Sequence, residues 1–158
     1  MTMAIVILIV SAALFIFYLQ ATCERILRRE FSQEFLHAVV NANRLEFPFV
    51  RKAIEEFDAP VDYPRFRMQL KCDFLALIYL LKNAGNPRQR FTYEERMLVT
   101  YFRAIFLLMI LLHALGVSER AVVLRLTSVL GYFANVVGER VNMIRVGNMT
   151  ASDYLMSL

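Results

Sequence analysis

The chain has 158 residues, which is room for one domain of ordinary size beside a terminal segment. Its residues are 58 % hydrophobic, whereas an ordinary soluble domain is roughly 45–50 % apolar. The charge is modest, with 18 Lys and Arg against 14 Asp and Glu, and acids alternate with bases through residues 24–62. Because this pattern lacks the basic stripe of nucleic-acid-binding proteins, we expect no nucleic-acid partner.

The first element is an uncharged apolar run from Met3 to Leu19, which reads MAIVILIVSAALFIFYL. As an α-helix it is about 26 Å long, close to the ~30 Å hydrocarbon core of a bilayer. A cleaved signal peptide is disfavoured, because no side-chain cation precedes the run and no typical cleavage site follows it. We therefore predict a single transmembrane anchor over residues 1–22. Its membrane-embedded residues include, at intervals of four, Met3, Ile7, Ser11, Phe15 and Leu19.

The orientation of this anchor follows from its flanking cations. Arg25, Arg28 and Arg29 come directly after the apolar run, and no side-chain cation comes before it. The positive-inside rule then places the N-terminus outside and the following domain in the cytoplasm. We expect this membrane to be a bacterial inner membrane. Two isolated cysteines, Cys23 and Cys72, form no disulfide framework, which agrees with a reducing compartment.

Residues 23–147 have the apolar spacing of five helices, and no alternating strand pattern persists anywhere in the chain. The first helix is predicted from Glu24 to about Asn43, with no Gly or Pro between it and the anchor. The second begins at Phe47, and the third begins near Asp62. Pro48 and Pro64 suit the first turns of these two helices. The fold class is therefore all-α, an anchor followed by a compact bundle of about five helices.

The last two helices have the clearest end signals. Thr92 and Glu95 have the spacing of a capping box, and this fourth helix is predicted to stop at Gly116. Ser118 is the predicted N-cap of the fifth helix. Gly131, Ala134 and Gly138 would allow close packing along one face of this helix. Residues 148–158 are predicted to be a flexible C-terminal tail.

The fourth helix is apolar enough to be considered as a second transmembrane segment. Its uncharged part, Ala104 to Leu115, has only twelve residues, and a longer window includes Arg103. Twelve residues are too few to span a bilayer, although an Arg near one end could snorkel. We therefore interpret this helix as the central helix of the bundle, wrapped by the other four. A second span is the alternative.

Residues capable of chemistry are few. Glu34 and His37 have a Glu-x-x-His spacing, but di-iron bundles need that pair twice with two further Glu. We therefore predict no metal site, no catalytic residues and no cofactor. His113 lies in the most apolar stretch and is the one candidate for ligating a haem or pigment. The alternative is a helix-end histidine that hydrogen-bonds a carbonyl near Gly116.

A second group of candidate residues combines cations with exposed aromatic rings after the anchor. Anionic lipid headgroups or a partner protein would be met by such a combination. The predicted contact residues are Arg25, Arg28, Arg29, Phe47, Phe49, Arg65 and Arg67. The alternative for the aromatic residues is that they cover the bottom of the bundle.

These patterns lead to three hypotheses about function. The first is a non-catalytic, single-pass accessory subunit that docks onto a larger integral membrane complex, for assembly, stabilisation or regulation. Respiratory and photosynthetic complexes carry small chains of this kind, which is an analogy only. The second is a membrane-tethered bundle that binds a lipid, quinone or pigment in a pocket lined by Leu77, Phe106, Met109, His113 and Phe133. The third, an enzyme acting on a lipid, is disfavoured because no catalytic constellation is present.

Overall fold

The computed structural model describes residues 2–28, 34–56, 62–83 and 91–147. Within these ranges the chain is all-helical and has no strand. Its six helices are α1 (Thr2–Leu27), α2 (Glu34–Asn43), α3 (Phe47–Glu56), α4 (Tyr63–Asn83), α5 (Tyr93–Ala114) and α6 (Arg120–Gly147). The predicted all-α class is confirmed. The predicted tail, residues 148–158, lies outside the described residues.

The predicted signals at the ends of α5 are confirmed. Glu95 N–H donates to Thr92 Oγ1 over 3.3 Å, and Thr92 N–H donates to Glu95 Oε2 over 3.0 Å, which completes the capping box. At the other end Gly116 adopts φ +67°, and Val117 N–H donates to the Leu112 carbonyl over 3.0 Å. This is the Schellman arrangement, which stops the helix and satisfies its last carbonyls.

The start of α6 differs from the prediction by one residue. The helix begins at Arg120, so Glu119 rather than Ser118 precedes it, and the Glu119 carbonyl accepts from Val122 and Val123 N–H. The Glu119 side chain is buried and lies 2.7 Å from Nδ1 of His113. Glu119 is held in this position by His113 at the end of α5, whereas Ser118 is exposed.

α6, and not α5, is the central helix, which corrects the prediction. α6 contacts each of the other five helices, and its fully buried residues include Leu126, Val129, Leu130 and Phe133. α5 packs against α6 and α1 and leaves Leu107, Leu111 and Leu115 exposed. α6 is the central helix because its small residues allow neighbouring helices to approach its backbone.

A buried ion pair joins three helices at one end of the structure. The Arg140 guanidinium on α6 pairs with the Glu95 carboxylate on α5, and both side chains are largely buried. Arg140 also donates to the Leu81 carbonyl near the end of α4, over 3.0 Å. Buried charges need such partners, because an unpaired one costs several kcal/mol.

Among the described residues, three helices are long and apolar enough to cross a membrane, judged by length and composition. They are Met3–Leu27, Tyr93–Ala114 and Arg120–Asn142, and their most apolar windows are 0 %, 28 % and 67 % buried within the protein. The first is a continuous helix that runs through the predicted domain boundary at residues 22 and 23. Its side chains from Met3 to Tyr18 are exposed, and Cys23 and Ile26 are buried.

The contacts also show which way α1 projects. Glu24 lies 3.7 Å from Arg125, near the start of α6, and Leu27 lies beside the following turns of α6. α1 and α6 therefore run in the same direction. Glu24 to Met3 covers about 32 Å of helix, whereas Arg125 to Arg120 covers about 8 Å. α1 thus extends roughly 24 Å beyond the α5–α6 turn.

The close contact between α2 and α6 gives a prediction. A methyl group added at Gly138 would clash with the Cβ of Phe35 and lie 3.3 Å from Val39. We expect Gly138→Ala to lower the melting temperature, since overpacking costs about 1–3 kcal/mol and exceeds the ~1 kcal/mol gain in helix propensity. The measurement is thermal unfolding in mild detergent, followed by circular dichroism.

The matched control is Gly131→Ala on the same face of α6. Its added methyl group would meet only Phe47, at 3.9 Å, which is an ordinary contact. This variant should keep or raise the melting temperature, by up to ~1 kcal/mol in unfolding free energy. Equal behaviour of the two variants would contradict the close α2–α6 contact.

Candidate functional site

His113 lies at the end of α5 and not in the bundle core. Its side chain is 52 % exposed, and its ring stacks on Tyr63 with centroids 3.5 Å apart. Its Nδ1 faces the buried Glu119 carboxylate at 2.7 Å. The hydrogen-bond partner of His113 is therefore a carboxylate six residues along the chain, and not the predicted carbonyl near Gly116. The role of His113 as a ligand stays a prediction.

The residues of the predicted ligand pocket lie in different environments. Leu77, Met109 and Phe133 are each less than 2 % exposed and belong to the continuous core. Phe106 lines a shallow depression of about 340 Å³ between α4 and α5, together with Leu75 and other apolar side chains. A pocket shared by these residues stays a prediction.

The predicted membrane-contact residues fall into different environments. Arg25, Arg28, Arg65 and Arg67 are exposed, and Phe49 is 64 % exposed, so all five are accessible to lipid or a partner. Arg29 lies outside the described residues. The prediction is wrong for Phe47, which is buried.

Phe47 is 3 % exposed and cannot meet a bilayer. It is the first residue of α3, where its ring packs into the core near Gly131. Its N–H donates to Asp73 Oδ2 on α4 over 2.6 Å, which fixes the helix start against the body of the protein. The aromatic residue that the sequence placed on a surface therefore serves packing.

An open groove of about 790 Å³ lies between α1, α3 and α6. We call it the α1–α3–α6 groove. Leu27 and Arg28 border it at the end of α1, and Leu36 of α2 adds an apolar side chain. α3 contributes Phe47, Pro48, Arg51, Lys52 and Glu55, and α6 contributes Thr127, Ser128, Gly131, Tyr132 and Asn135.

The rim of the groove is positively charged. Within the described part of the chain, Arg28, Arg51 and Lys52 border it, against one carboxylate, that of Glu55. Arg51 pairs with Glu55 at 2.9 Å, and Lys52 lies 3.7 Å from Glu56. Both pairs are exposed pairs within one helix, of a kind that contributes about 0.3–0.5 kcal/mol, so a stronger anionic partner can replace them.

The floor of the groove is a polar strip of α6. Thr127 and Ser128 donate their hydroxyl hydrogens to the Leu124 carbonyl, over 2.8 and 3.0 Å. Asn135 is 8 % exposed, and its Oδ1 has no hydrogen-bond partner among the described residues. Buried polar atoms are nearly always bonded, so this oxygen indicates a place for a donor from water or a ligand.

Asp73 positions the α3 side of the groove. It is 6 % exposed in the middle of α4, and its Oδ2 accepts from the N–H groups of Glu46 and Phe47 at 2.9 and 2.6 Å. A carboxylate from another helix thus takes the role that an N-cap side chain normally has. Sequence reasoning missed it, because its partners lie 26 and 27 residues away.

The chain was also compared with known proteins. Comparisons with protein-family models, with curated proteins and with solved structures gave no match. Among the described residues no group of three His, Cys, Asp or Glu side chains could hold a metal ion.

The environment of Asp73 predicts a pH effect on stability. Burial raises the pKa of its carboxyl above 3.8, and the two backbone N–H groups oppose this only in part. Between pH 3.8 and the folded pKa, the folded state therefore holds a proton on Asp73 that the unfolded chain has released. Asp73 contributes most to stability below pH 3.8, and the contribution is lost as pH rises through the folded pKa.

The test is the melting temperature of wild type and Asp73→Asn between pH 3.5 and 7. The amide keeps a hydrogen-bond acceptor for the first N–H groups of α3 but does not titrate. The melting temperature of the variant, relative to that of wild type, should therefore increase as pH rises. The opposite trend would show that the two backbone hydrogen bonds lower the pKa of Asp73 by more than burial raises it. Asp73→Ala, which also removes the cap, should cost about 1–2 kcal/mol relative to Asp73→Asn.

Proposed function

We propose that this protein is a non-catalytic, membrane-anchored helical subunit that docks onto a larger integral membrane complex. The observation that carries the proposal is an apolar surface on α5 that the other described residues leave exposed, at the end from which α1 projects. We call it the α5 leucine stripe. It comprises Leu107, Leu108, Leu111 and Leu115, which are 45–68 % exposed.

The α5 leucine stripe is one side of a helix that changes character along its length. At the start of α5 the same side carries the exposed residues Tyr93, Arg96 and Thr100, and Arg103 is exposed next to it. From Ala104 onward the exposed side chains of this face are apolar. Four exposed leucines on one helical face are typical of an interaction site or membrane contact, and not of free solvent.

The position of Arg103 supports a single-span topology. It is exposed in the middle of α5, so a membrane-spanning α5 would place its guanidinium against lipid near the bilayer centre. That placement costs about 2.5–3.5 kcal/mol. We therefore propose that α1 alone crosses the bilayer and that the apolar end of α5 contacts a membrane-embedded partner beside it.

The orientation proposed is N-terminus outside and body in the cytoplasm of a bacterial inner membrane. Arg25 and Arg28 follow the span, and α1 carries no side-chain cation before them. The cation excess therefore lies on the side of the body, as the positive-inside rule requires. The absence of an assembled catalytic constellation in the sequence favours a docking role over an enzymatic one.

Docking through the α5 leucine stripe predicts a loss of partners when the stripe becomes polar. Tagged wild type, extracted from its native membrane in gentle detergent, should elute in native sizing with a stoichiometric set of larger membrane subunits, identified by mass spectrometry. Leu107→Gln combined with Leu108→Gln and Leu111→Gln should reduce their recovery by about tenfold or more, since each buried Leu contributes roughly 1.5–3 kcal/mol.

The matched control replaces three exposed apolar residues of α4, namely Met68, Leu75 and Tyr79, by Gln. It changes as much surface hydrophobicity but should leave the partners bound. A wild type that elutes alone would refute the accessory-subunit proposal. Equal loss in both triple variants would refute the assignment of docking to the stripe.

The orientation can be tested with the two natural cysteines. Cys72 is exposed on α4, whereas Cys23 is 0 % exposed. In spheroplasts a membrane-impermeant maleimide should label Cys72 only after permeabilisation, and Cys72→Ser should remain unlabelled. Thr2→Cys in the Cys72→Ser background should be labelled without permeabilisation. Labelling of Cys72 in intact spheroplasts would show that the body lies outside.

A further inference from the structure

We propose that the α1–α3–α6 groove binds an anionic phospholipid whose headgroup carries hydroxyl groups, as phosphatidylglycerol does. The inference rests on α1 spanning the bilayer, as proposed above, and does not depend on a protein partner. Three independent features carry it, namely the depth of the groove, the charge of its rim and the hydrogen-bonding character of its floor.

The depth of the groove relative to the bilayer follows from α1. This helix carries no charged side chain between Thr2 and Cys23, a length of about 33 Å, which matches the ~30 Å hydrocarbon core. Leu27 and Arg28 then lie about 6–8 Å beyond the core edge, which is the depth of the headgroup layer. The groove therefore opens where lipid phosphates lie, on the side of the body.

The rim provides charge complementarity for a phosphate diester. Arg28 and Arg51 can each donate several N–H groups to phosphate oxygens, and Lys52 adds a further cation. Among the described residues Glu55 is the one acid that lines the groove, and its side chain is turned toward Arg51. A phosphate that approaches Arg51 and Lys52 exchanges two weak exposed ion pairs for charge-assisted bonds to a less hydrated site.

The floor explains why the headgroup should carry hydroxyl groups. Asn135 Oδ1 lacks a partner, and the Thr127 and Ser128 oxygens have already used their hydrogens on Leu124. All three atoms can therefore accept a hydrogen bond. Ser128 is partly exposed, whereas Thr127 and Asn135 are buried and would meet a headgroup hydroxyl through a bridging water. A phosphate diester has no hydrogen to donate, but the hydroxyls of a glycerol headgroup do. Cations at the rim and acceptors at the floor match the two parts of such a headgroup.

The size and apolar side of the groove fit a bound lipid. Its volume of about 790 Å³ falls in the ~300–1,000 Å³ range of small-molecule sites. Gly131 keeps the floor open, because a side chain there would point toward Phe47. Leu27, Leu36 and Pro48 give apolar contacts for the glycerol backbone and the upper acyl chains.

The experiment uses native mass spectrometry of the full chain in a neutral detergent, titrated with one lipid at a time. The lipids are phosphatidylglycerol, phosphatidylmethanol and phosphatidylcholine. Phosphatidylmethanol has the same charge as phosphatidylglycerol but no hydroxyl. We expect phosphatidylglycerol to bind at least about fivefold tighter than phosphatidylcholine, since one cation near a lipid surface contributes about that factor. Its advantage over phosphatidylmethanol should be about twofold to tenfold, the range for one hydrogen bond.

Two groove variants separate the contributions of rim and floor. Arg51→Gln with Lys52→Gln, both exposed, should lower the preference for the anionic lipids over phosphatidylcholine by about fivefold or more. Asn135→Leu should keep that preference but remove the advantage of phosphatidylglycerol over phosphatidylmethanol. The matched charge control is Lys71→Gln with Lys82→Gln on α4, both exposed and outside the groove, which should bind as wild type does.

Several results would overturn the inference. One is equal binding of phosphatidylglycerol and phosphatidylcholine to wild type. Another is an equal loss in the α4 control and in the rim variant, which would indicate unspecific charge attraction. Displacement of phosphatidylglycerol by an equal concentration of free glycerol phosphate would assign the groove to a soluble phosphate compound and not to a lipid. Because no partner protein is present, failure of the docking proposal would leave these readouts unchanged.

Discussion

The arrangement of α4, α5 and α6 depends on the buried pair of Glu95 and Arg140. Glu95 closes the capping box of α5 with one carboxylate oxygen and meets Arg140 with the other. Arg140 also bonds the Leu81 carbonyl near the end of α4. Removing one member of such a pair costs about 3–5 kcal/mol, because the other stays buried and charged. One interaction thus sets the relative register of three helices at the end away from the α5–α6 turn.

The opposite end of the structure is held by local and long-range contacts of another kind. Gly116 reverses the chain, the Tyr63 ring stacks on His113, and His113 meets the buried Glu119. The titratable groups His113 and Glu119 near this turn are thus partnered with each other, while the leucines on the outer face of α5 are left exposed by the other described residues. This distribution is why the end beside α1 can face an apolar environment without exposing unpaired charges there.

Local signals in the sequence were enough to predict most helix ends. The capping box at Thr92, the stop at Gly116 and the early prolines Pro48 and Pro64 act through neighbouring atoms, so a single segment contains the information. The identity of the central helix was not predictable in this way. α5 has the higher mean hydropathy, 2.0 against 1.5 for α6, yet α6 is the more buried. Hydropathy indicates which side chains tolerate an apolar environment. Lipid, a partner protein and the protein core all provide such an environment, so hydropathy does not tell them apart.

The groove was beyond sequence reasoning for the same physical reason. Its parts, Arg28, Arg51 and Asn135, are separated by 23 and 84 residues and meet only through packing around α6. The sequence did indicate cations suited to anionic lipid, with Arg28 among them. It misplaced Phe47, since nothing local reveals that Asp73 holds that residue inward.

The continuity of α1 has a mechanical consequence. No Gly or Pro interrupts the helix from Thr2 to Leu27, and its last turns are packed into the body through Cys23 and Ile26. A spanning helix of this length tilts when the surrounding bilayer becomes thinner. With α1 spanning the bilayer as proposed, and no hinge in between, the body would tilt through the same angle, so the thickness of the membrane would set how the surface of the body is presented.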